Sequence, residues 1–190
     1  MEVSLAGAID CDLHPPLPGV TGLLPHLGEY WRDQIVNRHI DKLPFQLSSY
    51  PPTSPLSQRP DWRPPAGQKA GPEPIRTHVL DRFGLGYAIC NPLHGAVGLF
   101  NYDMAAALCA AVNDWVAKEL LDAEPRLRAS ILCPAQDPQA AAAEIRRAAE
   151  DERFVQVLLC GGADRPYGEP RYLPLFEAAA ECGLLSLIHI

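Results

Sequence analysis

From residue 86 onward the chain alternates short aliphatic runs with alanine-rich stretches of helical spacing, and this alternation limits the fold more than any other feature. β-like runs occupy residues 86–90, 128–133, 154–160 and 184–190. Between them, residues 102–121 carry Met104, Leu108, Val112, Trp115 and Val116 at helical spacing. Residues 140–150 continue a helix opened by an N-cap at Asp137 and a proline at the first helical position, and residues 172–182 form another that ends at Gly183. A helix is also predicted over 75–83, ended by Gly84, and a first strand over 5–13, stopped by His14-Pro15-Pro16 because proline cannot extend a ladder. Buried aliphatic strands that alternate with amphipathic helices imply parallel pairing through right-handed crossovers, so the expected class is α/β.

Periodicity alone does not decide between an open sheet and a barrel. An open, doubly wound sheet for dinucleotides announces itself by Gly-x-Gly-x-x-Gly after the first strand, and that place holds His14-Pro15-Pro16-Leu17-Pro18-Gly19. A closed (β/α) barrel takes about 250 residues, so five strands with four crossovers make only part of one. Residues 44–74 differ in kind: Pro51, Pro52, Pro55, Pro60, Pro64, Pro65 and Pro72 stand among Ser, Gly and Gln, with few apolar side chains for a core. They are predicted to be an extended insertion or flap.

Charge and composition exclude several partners. A formal net charge of −7, with no Lys/Arg run, repels a phosphate backbone and argues against nucleic acid. The N-terminus lacks a basic n-region, and no apolar run reaches the roughly 18 residues of a membrane span, so a cytoplasmic protein without membrane contact is expected. The six cysteines, at 11, 90, 109, 133, 160 and 182, form no Cys-x-x-Cys pair and are expected to be reduced and buried.

Candidate chemistry begins at the end of the first strand. In Asp10-Cys11-Asp12-Leu13-His14 a period of two puts Asp10, Asp12 and His14 on one face, the last two at the C-terminal tip. A carboxylate and an imidazole projecting together from that tip can ligate a divalent cation at about 2.0–2.2 Å. Alternatively, His14 caps the strand and Asp12 accepts backbone N–H groups of the proline turn. His189 lies near the C-terminal end of the fifth predicted strand, at the height of His14, where barrel sites gather their residues, or else it is a core histidine bonded to a carbonyl. His94, after the second strand, is close enough to the mouth to touch a substrate or bond a ligand, or it faces water. Asp10 either orients His14 as an outer acceptor or is a satisfied polar residue of the barrel floor. His26, His39 and His78 have no partners at ligand spacing and are expected at the surface.

Several blocks in order carry a resemblance. Ile9-Asp10-x-Asp12-x-His14, Tyr87-Ala88-Ile89-Cys90-Asn91-Pro92-Leu93-His94-Gly95, Ala111-Val112-Asn113-Asp114-Trp115, Arg126-Leu127-Arg128-Ala129-Ser130, Pro134-Ala135-Gln136-Asp137-Pro138, Pro166-Tyr167-Gly168 and Tyr172-Leu173-Pro174-Leu175-Phe176-Glu177-Ala178-Ala179 together resemble the amidohydrolase-related family. The resemblance implies a partial TIM-like (β/α) barrel, with residues 1–190 as its N-terminal part: about the first five strands, ending before closure. It implies one divalent metal, zinc or manganese, held by Asp12, His14 and His189; His94 and Asp10 are candidates, by their position alone, for the substrate pocket or a place behind the ligands. A catalytic His and a ligand Asp of later strands have no counterpart in this chain. The start of the fifth strand, Gly183-Leu184-Leu185-Ser186, departs from the family's usual Gly-Leu-Pro-Val-like pattern. The implied activity is non-oxidative decarboxylation of an aromatic or unsaturated carboxylic acid, with hydrolysis of an amide or lactone as the alternative and an inactive truncated product as a third. The partner is then a small carboxylic acid, and the complete protein is allowed to be a homodimer.

Overall fold

A computed structural model describes residues 5–43, 71–160 and 165–189, and most of the proline-rich segment expected at 44–74 lies outside them. Five strands, β1 (Ile9–Leu13), β2 (Tyr87–Cys90), β3 (Leu127–Leu132), β4 (Phe154–Cys160) and β5 (Leu185–His189), pair in parallel in the order in which they occur along the chain. Right-handed crossovers that always step to the next strand leave every helix on the same face, which curls the sheet toward a barrel. The result is a half-barrel. Its outer face, with Ala88, Cys90, Leu127, Ala129, Ile131, Val157 and Leu159, is buried against the helices.

Local signals account for most helix ends. α4 (Tyr102–Trp115), capped by the Asn101 side chain on Met104 N, runs on through a π-helical turn to Leu121. α5 (Pro138–Ala148) is capped by Asp137, which accepts from the backbone N–H of Gln139 and Ala140 at 3.1 Å each. α6 (Leu173–Glu181) precedes Gly183 at φ +68. The helix expected over 75–83 begins earlier, as α2 (Pro72–Ile75), and continues through a π-helical turn into α3 (Asp81–Phe83). Not anticipated were α1 (Glu29–Asn37) and the 3-10 turns Val20–His26 and Gly95–Gly98.

The first strand is shorter than the predicted 5–13. Gly7, at φ +77, bends the chain into a turn in which Ala8 N–H donates to Leu5 O, and Gly7 N–H reaches Gly84 O at 2.8 Å. A Cβ at Gly86 would stand 3.0 Å from the Gly7 carbonyl, so this close approach favours glycine there.

Two bulges decide which side chains face inward. Asp10 pairs with Ala88 and Leu13 with Cys90, so three steps of β1 oppose two of β2. Because Ala88 and Cys90 share the outer face, Asp10 and Leu13 do too, and Asp12 and His14 point into the concave side. On β4, Phe154 pairs with Ala129 but Gln156 pairs with Ser130, which turns Phe154 outward and Gln156 inward.

Candidate metal centre

Asp12 and His14, at the end of β1, meet His189 at the end of β5. The two Nε2 atoms stand 2.9 Å apart, and Asp12 Oδ1 lies 3.4 Å from that of His14 and 3.8 Å from that of His189. In a flat sheet β1 and β5 would be separated by four strand spacings, roughly 19 Å, beyond the reach of two imidazoles. The contact therefore measures the curl of the sheet. Among the described residues, no other three His, Cys, Asp or Glu side chains converge in this way.

The trio suits a divalent cation. A triangle with sides of 2.9, 3.4 and 3.8 Å has a circumscribed radius of about 2.0 Å, the length of a metal bond to imidazole nitrogen or carboxylate oxygen. His14 Nδ1 lies 3.2 Å from the Asn91 carbonyl, which can only accept, so Nδ1 carries the hydrogen and Nε2 turns its lone pair to the centre. The His14 and His189 rings stand edge to face, at 86°.

Asp10 does not share a face with these residues, contrary to the expectation from a strict period of two. Its Oδ1 accepts the Asp12 backbone N–H at 3.0 Å, closing the β1 bulge rather than orienting His14. His94 is enclosed rather than facing water. At 8% exposure, its Nδ1 accepts from Ala96 N–H at 3.2 Å and caps the turn Gly95–Gly98. Burial lowers its pKa to about 4.

Sequence reasoning missed a buried polar group under the centre. Asn91, Ser130 and Gln156, none more than 5% exposed, link β2, β3 and β4. Gln156 Nε2 donates to Ser130 Oγ at 2.8 Å and to Asn91 Oδ1 at 3.1 Å, and the Ser130 hydroxyl also donates to Asn91 Oδ1. Asn91 Nδ2 in turn donates to Asp12 Oδ1 at 2.8 Å and to the Cys11 carbonyl at 3.2 Å. The available signal was an amide in the otherwise aliphatic run Phe154–Cys160, because a polar side chain in a doubly covered strand needs a partner. The cysteines are all free, though Cys11 is exposed and Cys182 half-buried rather than buried. No helix among the described residues is long and apolar enough to cross a membrane.

Fold and site together define a (β/α) half-barrel that gathers a carboxylate and two imidazoles at the C-terminal edge of its strands. The chain belongs to the amidohydrolase family, whose model matches residues 9–190. Among solved structures it is similar to 5-carboxyvanillate decarboxylase LigW from Sphingomonas paucimobilis, with a TM-score of 0.65, 21% identity and coverage of 97% of this chain and 52% of that one. It is likewise similar to 2,6-dihydroxybenzoate decarboxylase from Rhizobium, with a TM-score of 0.61, 22% identity and coverage of 97% and 50%. A third is a dihydroxybenzoic acid decarboxylase from Polaromonas sp. JS666 with bound manganese and 2-nitroresorcinol, at a TM-score of 0.61, 19% identity and coverage of 97% and 49%. This chain thus spans about half the length of these structures. Comparison with curated proteins returns no match.

Proposed function

We propose that the chain contributes the metal-binding half of a non-oxidative carboxy-lyase that acts on an aromatic or unsaturated carboxylic acid. The observation that carries this reading is the convergence of Asp12, His14 and His189, whose ligand atoms all lie within 4.8 Å of one another. A divalent cation, zinc or manganese, would supply Lewis acidity toward the oxygen substituents of the substrate. The three side chains hold it, and His14 is already the tautomer that this requires. Manganese in a similar decarboxylase supports that metal, without deciding against zinc. Proton delivery to the carbon that loses carbon dioxide falls to a group beyond the five strands. Six free thiols suit a reducing cytoplasm.

Hydrolysis of an amide or lactone is the second reading, favoured by the family's own name. An anionic ligand such as Asp12 leaves a cation less able to acidify water, which places decarboxylation first. Two measurements test the proposal. Calorimetric titration of the chain with zinc or manganese should detect binding that Asp12→Asn and His14→Ala each weaken by roughly tenfold or more. The complete enzyme, loaded with metal and given hydroxybenzoates, amides and lactones, should release carbon dioxide from a carboxylic acid. Hydrolysis without carbon dioxide would reverse the order of the two readings.

A further inference from the structure

We infer that Asn91 is a positioning residue, and that the buried chain Gln156–Ser130–Asn91 exists to aim the Asp12 carboxylate at His14 and His189. The inference rests on the metal-binding reading of that trio but concerns different residues. An amide in a closed cavity has two orientations, and here the partners select one. The Asn91 oxygen is met by two donors, the Ser130 hydroxyl and Gln156 Nε2. Its nitrogen meets two acceptors, Asp12 Oδ1 and the Cys11 carbonyl. A flipped amide would set its oxygen against the Asp12 carboxylate oxygen and the Cys11 carbonyl and its N–H against the Gln156 N–H; the Ser130 hydroxyl could turn to accept, but the other three bonds would be lost around a fully buried side chain.

The donor polarity therefore runs one way, from Gln156 on β4 through Asn91 to Asp12 on β1. Gln156 has both amide hydrogens committed, one to Ser130 and one to Asn91, so it cannot turn without releasing Asn91. Asp12 needs such an anchor because its side chain is 65% exposed. The main chain of Asn91 adds a second restraint on the same site, since its carbonyl holds His14 Nδ1 while its N–H donates to Leu13 O at 2.7 Å. One residue of β2's end thus sets the direction of both side chains that β1 contributes. The β4 bulge is what turns Gln156 inward to complete the chain.

The experiment is a titration of the 190-residue chain with Mn2+ alone, comparing wild type with Asn91→Ala, Asn91→Asp and Ser130→Ala, and correcting for the folded fraction from thermal melts. Asn91→Ala should raise the Kd of the folded protein roughly 10- to 100-fold, Asn91→Asp at least as much, and Ser130→Ala about threefold or less because Gln156 still holds the amide. A residue that only supports the fold would lower the melting temperature without changing that Kd, so an Asn91→Ala Kd within about twofold of wild type overturns the inference. If Asn91→Ala does not fold, Gln156→Met, which keeps the Asn91 amide but removes one of its two anchors, must still weaken binding several-fold. A metal-free crystal structure of the Asn91→Ala or Gln156→Met variant supplies an independent readout. Asp12 Oδ1 should leave its place near the two Nε2 atoms, and an unmoved Asp12 also overturns the inference. Failure of wild type to bind Mn2+ removes the metal reading, while the displacement of Asp12 still decides the role of Asn91.

Discussion

His94 shows what burial does to a single titratable side chain. It is enclosed at 8% exposure, and its Nδ1 must stay unprotonated to accept the Ala96 N–H. Desolvation lowers its pKa from 6.5 to about 4, so the unfolded chain binds a proton there before the folded one does. The resulting stability is complete above pH 6.5 and is lost as pH falls through about 4, amounting to at most about 3 kcal/mol. Urea midpoints measured between pH 7 and 4 should therefore fall more steeply for wild type than for His94→Asn, which keeps a capping side chain without a titration in that range. Parallel slopes would mean that His94 is solvated.

Between elements, a dense polar fastening lies around Glu124, at the turn that leads into β3. The carboxylate is 3% exposed and accepts from Arg126 Nε and from Arg76 Nε, each at 2.9 Å. Arg126 also reaches Asp81, so the helical segment 72–83 is tied to the base of β3 from two sides. Hydrogen bonds from Arg126 first, and from Arg76, hold the Glu124 carboxyl down at about 2, against an ordinary 4.5. This stabilisation is present above pH 4.5 and disappears as pH falls toward 2. Glu124→Gln should cost about 2 kcal/mol at pH 7, discounted because both arginines are about a third exposed, and almost nothing at pH 2. Chemical denaturation at the two pH values reads the difference.

On the scale of the whole molecule, a five-stranded arc has two unpaired edges, and the apolar side chains beside them are exposed. Ile9 and Leu185, on the concave side, are 57% and 69% exposed, and Ile188, on the outer face of β5, is 50% exposed. Surfaces of this kind promote association, and edge strands lose protection first. Hydrogen exchange should show β3 amides, flanked on both sides, exchanging at least about tenfold more slowly than those of β5. The 190-residue chain should bind a hydrophobic dye and, on the proposed reading, release no carbon dioxide from hydroxybenzoates, because that reading assigns proton delivery to a group beyond the five strands. Turnover by the purified chain at a rate typical of enzymes would contradict this.

What could be read in advance was whatever local chemistry dictates. The Asp137-Pro138 start, the helical stripe of residues 102–121 and the aliphatic run Phe154–Cys160 needed no partner to be recognised, because caps and periodicity act over a few residues. Asp12, His14 and His189 were legible as residue types at strand tips. Which face each strand presents was not, because bulges in β1 and β4 depend on pairing with neighbouring strands, and a slip of one residue exchanges the two faces. Asp10 went outward and Gln156 inward for that reason. The meeting of His14 and His189, 175 residues apart, and the seating of Asn91 beneath Asp12 follow from the curl of the sheet, which accumulates over five paired strands and has no counterpart in any local stretch of sequence.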